Sequence, residues 1–228
     1  MPDIPVLTPR GALYRSLQQK RSKSIMRMTL VAIVLLTVSE SFGQTPSQER
    51  IQQVLGKKIA EIQEFACHPS IVDAVRLQND RQMALSEIKD LDKQWTSTRE
   101  LTAHKRALQE GKAGRLLTLK IHKNRAIYNE GFATDNQGAN VLACPPTSDY
   151  WQGDETKWQA AYNGGAGKTY VGPVTLDEST GVNAVQISVP ILDHGKTIGV
   201  LIMGVRLTYV ELKAIQAEGP SGAKPTSG

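Results

Sequence analysis

TSDYWQGDETKW, residues Thr147 to Trp158, separates two blocks of strand-like sequence. It holds two of the chain's three tryptophans, Trp151 and Trp158, together with Tyr150, Asp149, Asp154 and Glu155. Aromatic faces beside a few fixed carboxylates commonly line a small-molecule pocket. The same residues would equally suit a helix packed onto a sheet, aromatics inward and acids outward. On both readings the stretch is the crossover of a sheet.

Before it, Ala126 to Thr134 reads as a strand and Asp135-Asn136-Gln137-Gly138 as a turn whose glycine can take positive φ. Asn140 to Ala143 reads as a second strand, stopped by Pro145-Pro146. Within and after it, Asp154 to Tyr162 reads as a helix with Asp154 as N-cap and Gly164-Gly165 as the stop. Trp158 and Tyr162, four apart, share one face of that helix. Thr169 to Leu176 is a third strand and Asp177 to Gly181 its turn. Val185, Ile187, Val189 and Ile191 alternate with Ala184, Gln186 and Ser188, the pattern of a half-buried strand. His194-Gly195 makes a hairpin turn, and Ile198 to Leu207, apolar on both faces, reads as a central last strand. Three hairpins and one crossover predict a five-stranded antiparallel sheet. Thr208 to Ala217 reads as a terminal helix, and 218–228, rich in Gly, Pro and Ser, as a disordered tail.

Upstream the period changes to helical. Ile51, Val54, Leu55, Ile59, Ile62, Phe65 and Ala66 recur at three- and four-residue steps from Glu49. Pro69 interrupts them, and Ser70 is expected to cap a second helix, with Asp73 three residues on. A charged third run, Asp80 to Gln109, carries a thin stripe through Met83, Leu85, Ile88, Leu91, Trp95 and Leu101. Gly111 and Gly114 break it, and Arg115 to Ile121 suits a helix turn or a strand. The class is α+β: long N-terminal helices over 44–110, then an antiparallel sheet over 126–207 with a crossover helix, as one domain spanning 44–217.

The net charge is +5, from 27 basic and 22 acidic residues, but six basic and two acidic ones precede Gln44, which leaves the rest at +1. No basic cluster interleaved with aromatics remains, so nucleic acid is not an expected partner. The basic leader has the parts of an export signal. Lys20, Arg21, Lys23 and Arg27 precede the apolar run Thr29 to Val38, and Ser41-Phe42-Gly43 offers small residues for cleavage before Gln44. That run is about ten residues, half the roughly twenty a spanning helix needs, so a cleaved signal over 1–43 and a periplasmic protein are expected. An uncleaved signal would instead anchor the chain in the inner membrane. Met26 offers an alternative translation start. In such a compartment Cys67 and Cys144 could form a disulfide, or remain two small buried thiols.

Catalytic and cofactor signatures are absent from the pattern. Gly164 to Thr169, GGAGKT, lacks the first glycine of a phosphate loop, since Tyr162 stands in its place. His68, His104, His122 and His194 are scattered without metal-ligand spacing, and no G-x-S-x-G occurs. No cofactor is expected.

From Gly131 to Leu207 the chain resembles the extracytoplasmic PAS-like sensor domains of the Cache (PDC) family. The DNQG turn, the strand ending near PPTSDYW, the aromatic helix, the VGPV strand with its DESTG turn, the QISVP strand and the GKTIG turn follow in the family's order. The resemblance implies a ligand-binding sensor rather than an enzyme. It implies a small organic ligand and a membrane receptor or histidine kinase as signalling partner. It also implies that the aromatic helix and its preceding loop cover one sheet face, setting Tyr150, Trp151, Asp154 and Trp158 over inner polar positions. Gln186 and Ser188 would be such positions, unless that side of the sheet faces solvent. Arg125 and Tyr170 could hold a carboxylate or stack on the ligand, and Asp177 completes the candidate set. The family's amino-acid binders carry an Arg/Trp/Tyr signature that KNRAIYNEGF does not reproduce. Two alternatives stay open: a periplasmic enzyme or enzyme accessory, and an interaction module that dimerises through its N-terminal helices.

Overall fold

The computed structural model describes residues 46–177 and 181–217. The expected export signal, the start at Met26, the tail over 218–228 and the middle of the turn after Asp177 lie outside the described residues. No helix among the described residues is long and apolar enough to cross a membrane.

Among the described residues six helices precede the sheet: α1 (Pro46–Val54), α2 (Gly56–Ala66), α3 (Pro69–Asp80), α4 (Leu85–Thr96), α5 (Ala103–Glu110) and α6 (Lys112–Lys123). The α1–α2 junction is nearly continuous: Leu55 N donates to Ile51 O and Leu55 O accepts from Ile59 N, both at 2.9 Å. The cap of α3 is His68 rather than the expected Ser70; its Nδ1 accepts from Ser70 N at 3.2 Å, with Pro69 in the first turn.

The single run expected over Asp80 to Gln109 is two helices with irregular links. Gln82, with φ 48°, lies in the first link, and a hydroxyl-rich segment makes the second. Thr96 and Ser97 hydroxyls donate back to Asp92 O and Gln94 O, Thr98 Oγ1 accepts from Glu100 N, and Thr102 caps α5 through Lys105 N. Such local side-chain bonds compete with the helical ladder, and here they win. The break lets α4 and α5 enclose a small second core of Met83, Ile88, Trp95, Leu108, Ala139 and Tyr150. The undecided stretch Arg115 to Ile121 is helix, within α6.

The sheet comprises β1 (Tyr128–Thr134), β2 (Asn140–Cys144), β3 (Tyr170–Val171), β4 (Thr175–Asp177), β5 (Val182–Asp193) and β6 (Lys196–Arg206). The crossover helix α7 (Thr156–Tyr162) lies between β2 and β3, and α8 (Tyr209–Gln216) follows β6. All pairings are antiparallel, in the order β2-β1-β6-β5-β3, with β4 also on β5. This is the α+β, PAS-like arrangement expected, with β6 central. The expected third strand is two short ones because Gly172-Pro173 interrupts it; proline has no N–H for the ladder. Register slips by one residue between Val171↔Ile187 and Thr175↔Ala184. His194 and Gly195, with φ 47° and 79°, make the tight β5–β6 turn.

The two sheet faces differ. Odd-numbered β5 and β6 residues, among them Val185, Ile187, Leu201 and Met203, pack under the helical layer with Leu55, Ile62, Ile71 and Leu117. The outer face carries Phe132, Ala143, Val200 and Ile202, covered by Ala161, Trp158 and Tyr162, with Tyr170 at its edge. Trp158 and Tyr162 stack at 4.8 Å between centroids, as their spacing predicts.

Candidate functional site

Along the outer face the side chains change from apolar to polar in one two-residue step. Glu130 of β1, Gly204 of β6 and Gln186 of β5 stand side by side in register. The flanking strands are two strand spacings apart, about 9.5 Å. Gly204 contributes no side chain between them, so Gln186 Nε2 reaches over it and donates to Glu130 Oε1 at 2.9 Å. Register shifts between Tyr128 and Glu130, which makes Asn129 a bulge residue. Bulges re-aim side chains, and here Asn129 and Glu130 both lie over Gly204: a Cβ there would sit 2.3 Å from Asn129 Oδ1 and 2.5 Å from Glu130 Cγ.

Arg206, two residues beyond Gly204, closes this row. Its Nη1 donates to Arg125 O at 3.0 Å, while Nε is buried and unpartnered, as is Asn129 Oδ1. These four polar residues and the Gly172-Pro173 break line a cavity of about 550 Å³. Buried polar atoms are normally satisfied, so a free donor and a free acceptor at one concave wall describe a site for a ligand offering both complements. Glu130 adds a carboxylate and Gln186 an amide.

Asn129, Pro145 and Arg206 also line a second, larger hollow of about 1080 Å³ between α6 and the β1–β2 edge, which includes Arg125 and His122. Tyr128 lies there too; burial, with Glu61 adding, pushes its hydroxyl up to about 12.

The candidates taken from the sequence part company. Gln186 lines the outer-face cavity and Arg125 the larger hollow. Tyr150 is buried in the second core against Trp95. Burial, with Asp135 adding, pushes its hydroxyl up to about 12. Trp151 packs on the same core, donates Nε1 to Gln137 O at 2.8 Å and lies under Lys89 Nζ. Asp92 Oδ1 accepts from Tyr150 N and Trp151 N, at 2.7 and 3.0 Å. Trp151 and Trp158 therefore belong to different clusters and do not wall one pocket. Asp154 is exposed and does not cap α7; Glu155 holds the N-cap position, without a side-chain cap bond. Tyr170 joins Trp158 in the outer-face cluster, and Asp177 ends β4. Ser188 is inside the sheet face rather than in solvent, fully buried with its hydroxyl unpartnered. Cys67 and Cys144 are free thiols, the first exposed and the second buried, so the bridge is not formed.

Asn129, Glu130, Gly204 and Arg206 were not read from the sequence. One signal was there: Gly204 interrupts the apolar run VLIMGVRL, and an isolated strand glycine marks a close approach. Among the described residues no group of three His, Cys, Asp or Glu is placed to hold a metal ion.

No protein-family model matches the chain. No curated protein matches it. Among solved structures it is similar to the sensory domain of the Campylobacter jejuni chemoreceptor Tlp3 (CcmL) with isoleucine bound, at 17% identity over 73% of this chain and 66% of that one, TM-score 0.34. It is similar to the ligand-binding domain of the Pseudomonas aeruginosa PAO1 amino acid chemoreceptor PctC in complex with GABA, at 13% identity over 71% and 62%, TM-score 0.36. It is also similar to the ligand-binding domain of Mlp24 with asparagine, at 16% identity over 75% and 64%, TM-score 0.33. The chain thus spans slightly less than two thirds of these domains' own length.

Proposed function

We propose that this chain is an exported, Cache-like sensor module that binds a small polar organic ligand without transforming it. It reports occupancy to a signalling partner, a membrane receptor or histidine kinase. The observation that carries the reading is that Asn129 and Arg206, each with a buried unpartnered polar atom, line the same cavity as the Gln186–Glu130 bond. The ligand class follows from those groups. Arg206 takes an acceptor such as a carboxylate. Asn129 and Glu130 take donors, an ammonium or hydroxyl. About 550 Å³ suits a compact molecule.

The test is a thermal-shift screen of small acids, amines and zwitterions, followed by calorimetry on Gln186→Leu and Glu130→Gln. A ligand at 100 times its Kd adds about 2.7 kcal/mol of stability, or about 5–10 °C in a domain of this size. Both variants should weaken binding while the fold persists. A ligand bound with unchanged affinity by both variants would place the site elsewhere.

A further inference from the structure

The larger hollow has a different chemistry from the outer-face cavity. Arg115, Thr118, Leu119 and His122 recur at three- and four-residue steps, so they share one face of α6. Arg125 and Arg206 complete a wall with four basic residues in all, against the single carboxylate of Glu110. Among the described residues none of Arg115, Arg125 and Arg206 pairs with a carboxylate. Thr118 Oγ1, Asn129 Oδ1 and Arg206 Nε are buried there without partners. A buried guanidinium nitrogen lacking an acceptor is costly, and a bound anion removes that cost.

The rest of the lining is apolar. Leu119 is half-exposed at the mouth, and Ile121 and Pro145 continue the apolar wall. A small inorganic anion would satisfy the arginines and leave this wall wet. At about 1080 Å³ the hollow is roughly twice the outer-face cavity and accepts a longer molecule.

We propose that the α6 groove is a second ligand site, for an organic monocarboxylate with an extended apolar body. The carboxylate lies between Arg125 and Arg206, whose guanidinium is already oriented by the Arg125 carbonyl at 3.0 Å. The body runs along Leu119 and Ile121. This goes beyond the sensor reading above: Arg206 borders both cavities, but Arg115, Leu119, His122 and Arg125 line the groove alone, so changes at Arg125 and Leu119 test the groove without touching the outer-face cavity.

The experiment is titration calorimetry of the exported chain with saturated monocarboxylates from acetate to octanoate, with inorganic phosphate and octylammonium as comparison probes. Affinity should rise about fourfold per methylene until the groove is filled, the worth of one buried CH₂. Arg125→Gln, at an exposed position, should weaken octanoate about ten- to a hundredfold. Leu119→Gln should flatten the dependence on chain length. Absence of carboxylate binding, affinity independent of chain length, phosphate binding as tightly as octanoate, or wild-type octanoate affinity in both variants would each overturn the proposal.

Discussion

Gly204→Ala places a methyl group in the middle of the outer-face site. Its Cβ would lie 2.3 Å from Asn129 Oδ1, 2.5 Å from Glu130 Cγ and 3.0 Å from Glu130 Oε1. All three are side-chain atoms, so the strands can keep their places while two side chains swing aside. Moving Glu130 breaks the bond it accepts from Gln186 at 2.9 Å. A hydrogen bond to a charged group contributes about 1.5–3 kcal/mol, and the lower end applies because both residues are only half-buried. Removing a glycine from the unfolded chain offsets about 0.4–1 kcal/mol. The net is a loss of about 1 kcal/mol, or about 2–4 °C in melting. Gly199→Ala is the contrast: its Cβ would meet the Thr134 backbone oxygen at 2.1 Å and Val75 Cγ1 at 2.9 Å. There β1 and β6 must part, and overpacking of that kind costs about 3 kcal/mol. Urea melts of Gly204→Ala, Gln186→Leu and the double variant test the cause. If displacement of Glu130 is the mechanism, the two changes overlap and the double variant loses about 1 kcal/mol less than the sum. Additivity within about 0.5 kcal/mol would refute it.

Asp92→Ala should cost about 2 kcal/mol, because the Tyr150 and Trp151 amides lose their shared acceptor; Asp92→Asn, which keeps an acceptor, should cost clearly less by denaturant melting. Thr208→Ala removes the N-cap of the α8 capping box and should cost about 1 kcal/mol, read as faster amide exchange in α8. Burial raises the Glu211 carboxyl, but Lys58 at 2.8 Å and the Thr208 bonds outweigh it and hold the group below the ordinary glutamate value. A carboxylate lowered on folding contributes stability that is complete above its unfolded pKa and is lost as pH falls through the lower folded value. Amide exchange in α8 should therefore accelerate selectively in that acid window, and Lys58→Met should diminish the effect, the Thr208 bonds remaining.

The turns, the strands and the class were legible because their causes are local. Alternation at Val185 to Ile191 marks a half-buried strand whatever lies opposite, and His194-Gly195 needs only its own backbone to turn. The apolar run from Ile198 identified the central strand, since a strand buried on both faces has no polar side. The break at Ser97 to Thr102 was written in the same local chemistry, as hydroxyls competing for backbone groups, yet the charge pattern of the run concealed it.

Gln186 apart, the site was not legible, because its geometry is set between distant segments. Glu130 and Gln186 meet across 56 residues of chain, and only the pairing of three strands over Gly204 brings them together. The bulge at Asn129 is a one-residue offset between β1 and β6, invisible in either strand alone. Trp158 is close in sequence to Tyr150 and Trp151 but falls into a different cluster from theirs, since the chain between Trp151 and α7 carries it to other partners. The sequence by itself determined which segments are strand and helix, through periodicity and backbone preference. Which polar side chains share a cavity was decided by strand register, a property of the folded sheet.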